Sequence, residues 1–127
     1  MLTPEQREAL IWVRNCLDKN HSEVMPSWME FDMATWMGGR PSCGTRCCIG
    51  GSMDVYMAGF AEEGVSDDVP RAIRDSEIYY QLDRAAMTDE ALYQLFYKWG
   101  DVDPTPENAV KAIDAYLNGH QDPWSAV

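Results

Sequence analysis

The sequence predicts a mainly α-helical fold in one compact domain, and three observations carry that prediction. Apolar residues recur at helical spacing along five segments. Two of those segments open on the same start signal, Thr3-Pro4-Glu5-Gln6 and Thr105-Pro106-Glu107-Asn108. No alternation of strand-like and helix-like segments appears, which argues against a doubly wound sheet. At 127 residues and 46% apolar content, the chain can bury one core without disulfides or metals.

The first predicted helix spans 3–19. Thr3 is the N-cap, Pro4 takes the first helical position, and Gln6 completes a capping box. Leu10, Val13 and Leu17, flanked by Ala9, Trp12 and Cys16, form its apolar stripe, and Asn20 stops it. Residues 21–45 break periodicity through His21, Ser22, Pro26, Gly38, Gly39, Pro41 and Ser42. Trp28, Phe31, Met33, Trp36 and Met37 are too apolar for a solvated loop. An ordered irregular segment with a short strand near Glu30–Thr35 is expected there.

The second helix is predicted over 46–62, capped by Thr45, with Cys48, Ile49, Met53, Tyr56 and Phe60 on one face and Gly64 ending the segment. Gly50 and Gly51 each cost such a helix roughly 1 kcal/mol relative to Ala, best offset by close approach of another backbone or a ligand. A third helix over 69–86 starts at Asp68-Val69-Pro70, with a break near Ser76 before Ile78, Leu82 and Ala86. A fourth over 88–99 has Thr88 as cap, Leu92, Leu95, Phe96 and Trp99 inside, and Gly100 as its stop. The fifth spans 105–118, with Ala109, Ile113 and Leu117 inward and Asn118-Gly119 as terminator. Trp124 in the tail is expected to fold back onto the body. The predicted core is Leu10, Val13, Leu17, Trp36, Ile49, Leu82, Leu95, Phe96, Ile113 and Leu117.

Charge bounds the function. Twenty-one acids against ten Lys and Arg give a net charge of −11. Direct nucleic-acid binding is disfavoured, because phosphate contacts need clustered cations. The same field favours a partner with a basic surface, although solubility alone also accounts for such charge. No run of about 18 apolar residues exists, so no membrane span is expected. The polar start Met1-Leu2-Thr3-Pro4 does not read as a secretory signal, which makes a cytoplasmic location and reduced cysteines the expectation.

The densest cluster of special residues is Cys43-Gly44-Thr45-Arg46-Cys47-Cys48-Ile49-Gly50-Gly51. It reads as a tight turn feeding a closely packed helix N-terminus. With Phe31 to Trp36 before it, the run resembles a family of small, uncharacterised bacterial and bacteriophage proteins. Their pattern is a Trp segment followed by C-G-T-x-x-C-(I/L/V)-(A/G)-G. The likeness continues through Leu95-Phe96-Tyr97 and the T-P-E-x-A start at Thr105 to Ala109, covering residues 30–117. Cys43, Gly44, Thr45, Cys48 and Gly51 fill its positions, Gly50 fills a small-residue position, and Cys47 falls at a variable one. The resemblance implies a bacterial or phage origin rather than a mechanism.

Four chemistries compete at these residues. Zinc ligation by Cys43, Cys47 and Cys48 with His21 or His120 lacks the two separated pairs of a tetrahedral site, so packed thiols are expected, with Cys16 and Cys48 buried, and no metal. A cysteine nucleophile at a helix N-terminus would have a lowered pKa, but His21 and His120 are its only candidate bases. An anion or nucleotide could sit on free amides at Thr45–Cys48, with Arg40 and Arg46 adding charge; neither a Walker A motif nor a dinucleotide fingerprint is present. The candidate ligand set is Arg40, Cys43, Gly44, Thr45, Arg46, Cys47 and Cys48, against the simpler reading that Gly44 turns and Thr45 caps. The carboxylate groups Glu62, Glu63, Asp67 and Asp68, and Asp101, Asp103 and Glu107, lie at helix ends, where acids are usually solvated. They form the candidate partner surface.

The sequence thus favours a non-enzymatic, acidic interaction or inhibitor protein without cofactors. Its partner would be a host protein with a basic surface, such as a nucleic-acid-binding defence complex met in the manner of an anti-CRISPR protein. A small-ligand binder using the Cys43–Gly51 turn is the alternative, and a cysteine- or metal-dependent enzyme is the third class.

Overall fold

A computed structural model of the chain describes residues 2–26, 29–33, 37–38, 45–59 and 77–127; at 29, 37, 38, 45–47 and 78–80 it describes the backbone alone. The protein is mainly helical, with five α-helices among the described residues. Helix α1 is Pro4–Leu17. Its start is the predicted capping box: Gln6 N donates to Thr3 Oγ1 at 3.1 Å, and Thr3 N donates to Gln6 Oε1 at 2.9 Å. Its inward face is Gln6, Ala9, Leu10, Val13 and Leu17. The helix ends before the predicted Asn20, because Asp18 leaves helical geometry and its side chain accepts the Asn20 amide at 2.9 Å.

The segment after α1 holds more strand than one short piece. Strand β1 (Met29–Phe31), β2 (Met37–Gly38) and β3 (Thr45–Cys47) form a sheet in the order β1-β3-β2. Strand β3 runs parallel to β1, with Met29 opposite Thr45, and antiparallel to β2, with Met37 opposite Cys47. Both edges of β3 are therefore occupied.

Helix α2 is Ile49–Met57, shorter at both ends than the predicted 46–62. Arg46 and Cys47 belong to β3, and the N-cap is Cys48 rather than Thr45. At the other end Gly59 takes φ +81°, in the left-handed region, and closes the helix by donating to the Tyr56 carbonyl at 3.1 Å. The expectations for Phe60 to Ser76, including the Gly64 stop and the start at Asp68-Val69-Pro70, lie outside the described residues.

Helix α3 is Glu77–Thr88 and α4 is Glu90–Tyr97. The boundary between them corrects the sequence reading. Thr88 closes α3, its hydroxyl bonded to the Arg84 and Ala85 carbonyls at 3.2 and 3.3 Å. Asp89 caps α4 by accepting the Leu92 amide at 3.2 Å. A charged carboxylate is the stronger acceptor for an N-terminal amide. Helix α5, Pro106–Leu117, follows its Thr105 cap as predicted. Gly119 at φ +88° ends it, and a short 3₁₀ turn, Pro123–Ala126, completes the described chain.

One apolar cluster joins these elements. Leu10, Val13, Leu17, Ile49, Leu82, Leu95, Phe96 and Ile113 are all buried, as predicted. Leu117 is only half-buried at the edge of the core, and Trp36 lies outside the described residues. Trp124 does fold back: it is 1% exposed, and its indole N–H donates to the Leu95 carbonyl at 2.8 Å. Arg14 ties α1 to α5 through Asp114 at 2.9 Å, and pairs with Asp18 at 2.8 Å. No helix among the described residues is long and apolar enough to cross a membrane.

Two stability changes follow. Trp124→Phe keeps an aromatic ring but orphans the buried Leu95 carbonyl, so urea unfolding should show a loss of about 1–3 kcal/mol. Ser52 is fully buried on α2, and its hydroxyl has no hydrogen-bond partner among the described residues. Ser52→Ala should therefore be neutral or stabilising by up to about 1 kcal/mol; a loss above that range would show the hydroxyl is satisfied.

Candidate functional site: an acid-rimmed aromatic groove

The glycine-cysteine turn is described from Thr45 to Gly51. Of its predicted ligand set, Arg40, Cys43 and Gly44 lie outside the described residues. Thr45, Arg46 and Cys47 are described as the backbone of the central strand β3, not as free amides at a helix start. The true N-terminus of α2 caps itself: Gly51 N donates to Cys48 Sγ at 3.4 Å, and Ile49, Gly50 and Gly51 are buried. Its amides face protein rather than an open site.

The thiols depart from the nucleophile reading. Burial pushes Cys48 up to about 12, outweighing the amides of Gly51 and Gly50, which act in the opposite direction. Cys16 is half-buried rather than buried, and burial, then the charge of Glu23, pushes it up to about 12. Neither is in a disulfide, and both stay protonated at neutral pH. His21 and His120 each accept a backbone amide two residues on, from Glu23 and Asp122, at 3.1 Å. Among the described residues no group of three or more His, Cys, Asp or Glu could hold a metal ion.

The predicted acidic surfaces fare unevenly. Glu62, Glu63, Asp67 and Asp68 lie outside the described residues. Asp101, Asp103 and Glu107 are exposed. Glu107, however, meets Lys19 at 3.3 Å, and a cavity of about 210 Å³ that it lines also holds Lys111. The Asp103 carbonyl accepts the Thr105 amide and the Asn108 side chain, both at 2.8 Å, which places that residue in the turn leading to α5. This edge is partly neutralised and partly structural.

A different acidic face stands out between α1 and α2. Glu5, Glu8, Trp12 and Asn15 recur at i, i+3, i+7 and i+10, a stripe beside the core stripe of α1. Helix α2 brings Tyr56 against it. The Trp12 and Tyr56 rings lie 5.1 Å apart, tilted by 33°, and both are half-buried. Two cavities have Tyr56 and Glu8 in their walls. One, about 330 Å³, is lined by Glu5, Glu8, Tyr56, Met57 and Gln81. The other, about 170 Å³, is lined by Glu8, Ile11, Trp12, Asn15, Glu23 and Tyr56. The Tyr56 hydroxyl donates to Glu8 Oε1 at 3.1 Å. Burial, then Glu8 and Glu23, raises the Tyr56 pKa, so the ring sits in a negative field. Among the described residues none of Glu5, Glu8 and Glu23 has an ion-pair partner, in contrast to Asp18, Asp114 and Glu107.

A larger cleft of about 660 Å³ opens beside α5, with Arg7, Asp89, Tyr116 and His120 in its wall. Three of its polar groups, Asp89, Tyr116 and His120, already make hydrogen bonds within the fold. Tyr116 donates to Asp89 Oδ2 at 2.9 Å, and Asp89 caps α4. Burial works against the Asp89 charge, yet Tyr116 and the Leu92 amide leave its pKa lowered, while burial and Asp89 raise that of Tyr116.

Comparison with protein-family models, with curated proteins and with solved structures returns no match to this chain. On sequence alone, Trp12 and Tyr56 fall on core faces, and neither Glu8 nor Glu23 is singled out. The available signal was the Glu5-Glu8-Trp12 stripe, acidic and aromatic on the same side of α1.

The thiol environment gives a direct check. Iodoacetamide at neutral pH should alkylate Cys48 at least about 100-fold more slowly in the folded protein than in urea, read by peptide mass mapping. Rapid labelling of Cys48 in the native state would restore the nucleophile reading.

Proposed function

We propose that this chain is a non-enzymatic interaction protein that docks, through the acid-rimmed groove between α1 and α2, on a basic surface of a partner protein. The observation that carries the reading is the set of three carboxylates, Glu5, Glu8 and Glu23, gathered around a half-buried aromatic pair, none of them in an ion pair among the described residues. Uncompensated charge steers association and selects partners of opposite sign. The half-buried rings supply the amphipathic area that interfaces favour. The net charge of −11 extends the same field over the chain. Its resemblance to small bacterial and phage proteins gives the reading its concrete form. In that form the chain is a phage-borne or mobile-element inhibitor that occupies a basic groove of a host nucleic-acid-binding complex.

Capture from a bacterial lysate on the immobilised protein should enrich basic proteins at low salt and release them as ionic strength rises. The triple variant Glu5→Gln, Glu8→Gln, Glu23→Gln should remain folded and lose at least about tenfold of that capture. Equal capture of the same proteins by the triple variant, at the same salt, would reject this face.

A further inference from the structure

The groove has a shape as well as a charge, and the shape discriminates between cations. Trp12 and Tyr56 present rings 5.1 Å apart. Tyr56 occupies only Oε1 of Glu8, and Oε2 has no partner among the described residues. Ile11, 39% exposed, supplies an apolar wall beside Trp12. The two cavities share Tyr56 and Glu8, and one has Glu5 in its wall, the other Glu23.

A lysine ammonium is a compact, strongly hydrated charge that gains little from a ring face at a half-exposed site. A guanidinium is planar and weakly hydrated. It stacks on aromatic rings and offers a fork of N–H donors to a carboxylate. Each cavity joins an aromatic wall to carboxylates, which is the pair of surfaces a guanidinium uses together.

Resting on the docking function proposed above, we propose that the groove is an arginine-recognition site. The occupant is a protein segment carrying two arginines, one in each cavity, with Tyr56 and Glu8 shared between them. The aliphatic stem of the arginine on the Trp12 side lies along Ile11. Charge complementarity selects this occupant over an acidic or neutral peptide, and the aromatic pair selects arginine over lysine.

Three short synthetic peptides of one sequence, carrying two arginines, two lysines or two citrullines, are titrated by calorimetry against the wild-type chain, Trp12→Leu, Tyr56→Phe and Glu8→Gln. Thermal unfolding confirms that each variant is folded. The arginine peptide should bind at least about fivefold tighter than the lysine peptide, and the citrulline peptide should not bind measurably. Trp12→Leu, which strips Trp12 from one cavity and leaves the Tyr56 ring in both, should cut the arginine preference by at least about twofold, whereas Tyr56→Phe, which keeps the ring, should retain it. Glu8→Gln should weaken both cationic peptides. Equal affinity for arginine and lysine peptides, both weakened by Glu8→Gln, overturns arginine recognition while the acidic docking function stands. Binding of neither cationic peptide, or binding unchanged by Glu8→Gln, overturns both. If Trp12→Leu does not fold, the comparison of wild-type affinities for the three peptides decides alone.

Discussion

Helix α1 is the constraint on which the other elements depend. Ala9, Leu10 and Val13 are fully buried, so this helix must be covered along a whole stripe. Helix α2 covers one flank, and α5, fixed through Arg14 and Asp114, covers the other. The rest of the architecture completes that enclosure. Helices α3 and α4 bring Leu82, Leu92 and Leu95 into the same cluster, and Trp124 seals it by reaching the Leu95 carbonyl. Burying a stripe of aliphatic side chains contributes about 1.5–3 kcal/mol per residue, more than a cap or a surface ion pair. The polar features are therefore arranged around a packing decision made by α1.

That arrangement explains which parts of the structure could be read from the sequence. Caps and stripes are local, and the helices they define at Pro4–Leu17 and Pro106–Leu117 match the expectation within two residues. The start of α2 was not legible in the same way. Thr45-Arg46-Cys47 is a strand only because β1 and β2 pair with its two edges, and those partners lie elsewhere in the chain. In isolation Thr45 is a good cap and Cys48 a poor one. The sheet consumes Thr45 and leaves the buried sulfur to receive the Gly51 amide. At the α3–α4 boundary two adjacent residues could cap, and the stronger carboxylate acceptor of Asp89 takes the role, which leaves Thr88 to close α3. The groove was illegible for a related reason, since Trp12 and Tyr56 become neighbours only when α2 docks on α1.

The same docking step changes the meaning of the cysteine cluster. A thiol at a helix start normally gains acidity from the amides it faces. At Cys48 the amides of Gly51 and Gly50 act in that direction, but complete burial acts more strongly. Desolvation of a thiolate in an apolar surrounding costs more than two weak hydrogen bonds to sulfur return. Cys48 thus works as a small apolar residue with a weak acceptor, which suits a helix N-terminus that must be both capped and dry.

Of the three acids of the groove, only Glu23 lacks an equivalent structural account. Glu5 lies in the first turn of α1, where the helix dipole favours a negative charge by about 0.3–1 kcal/mol. Glu8 accepts the Tyr56 hydroxyl and so helps tie α2 to α1. Glu23 has neither role. It lies beyond the end of α1, has no ion-pair partner among the described residues, and acts on its surroundings by raising the pKa of Cys16 and Tyr56. Clustering it with Glu5 and Glu8 concentrates like charge around one ring pair, which costs a small amount of stability and is screened only in part at physiological salt. Solubility requires net charge somewhere on the surface, but it does not require three acids around an aromatic pair. A cationic occupant would relieve that repulsion and cover the rings in a single contact, which makes the groove, rather than the overall charge, the specific feature of this chain.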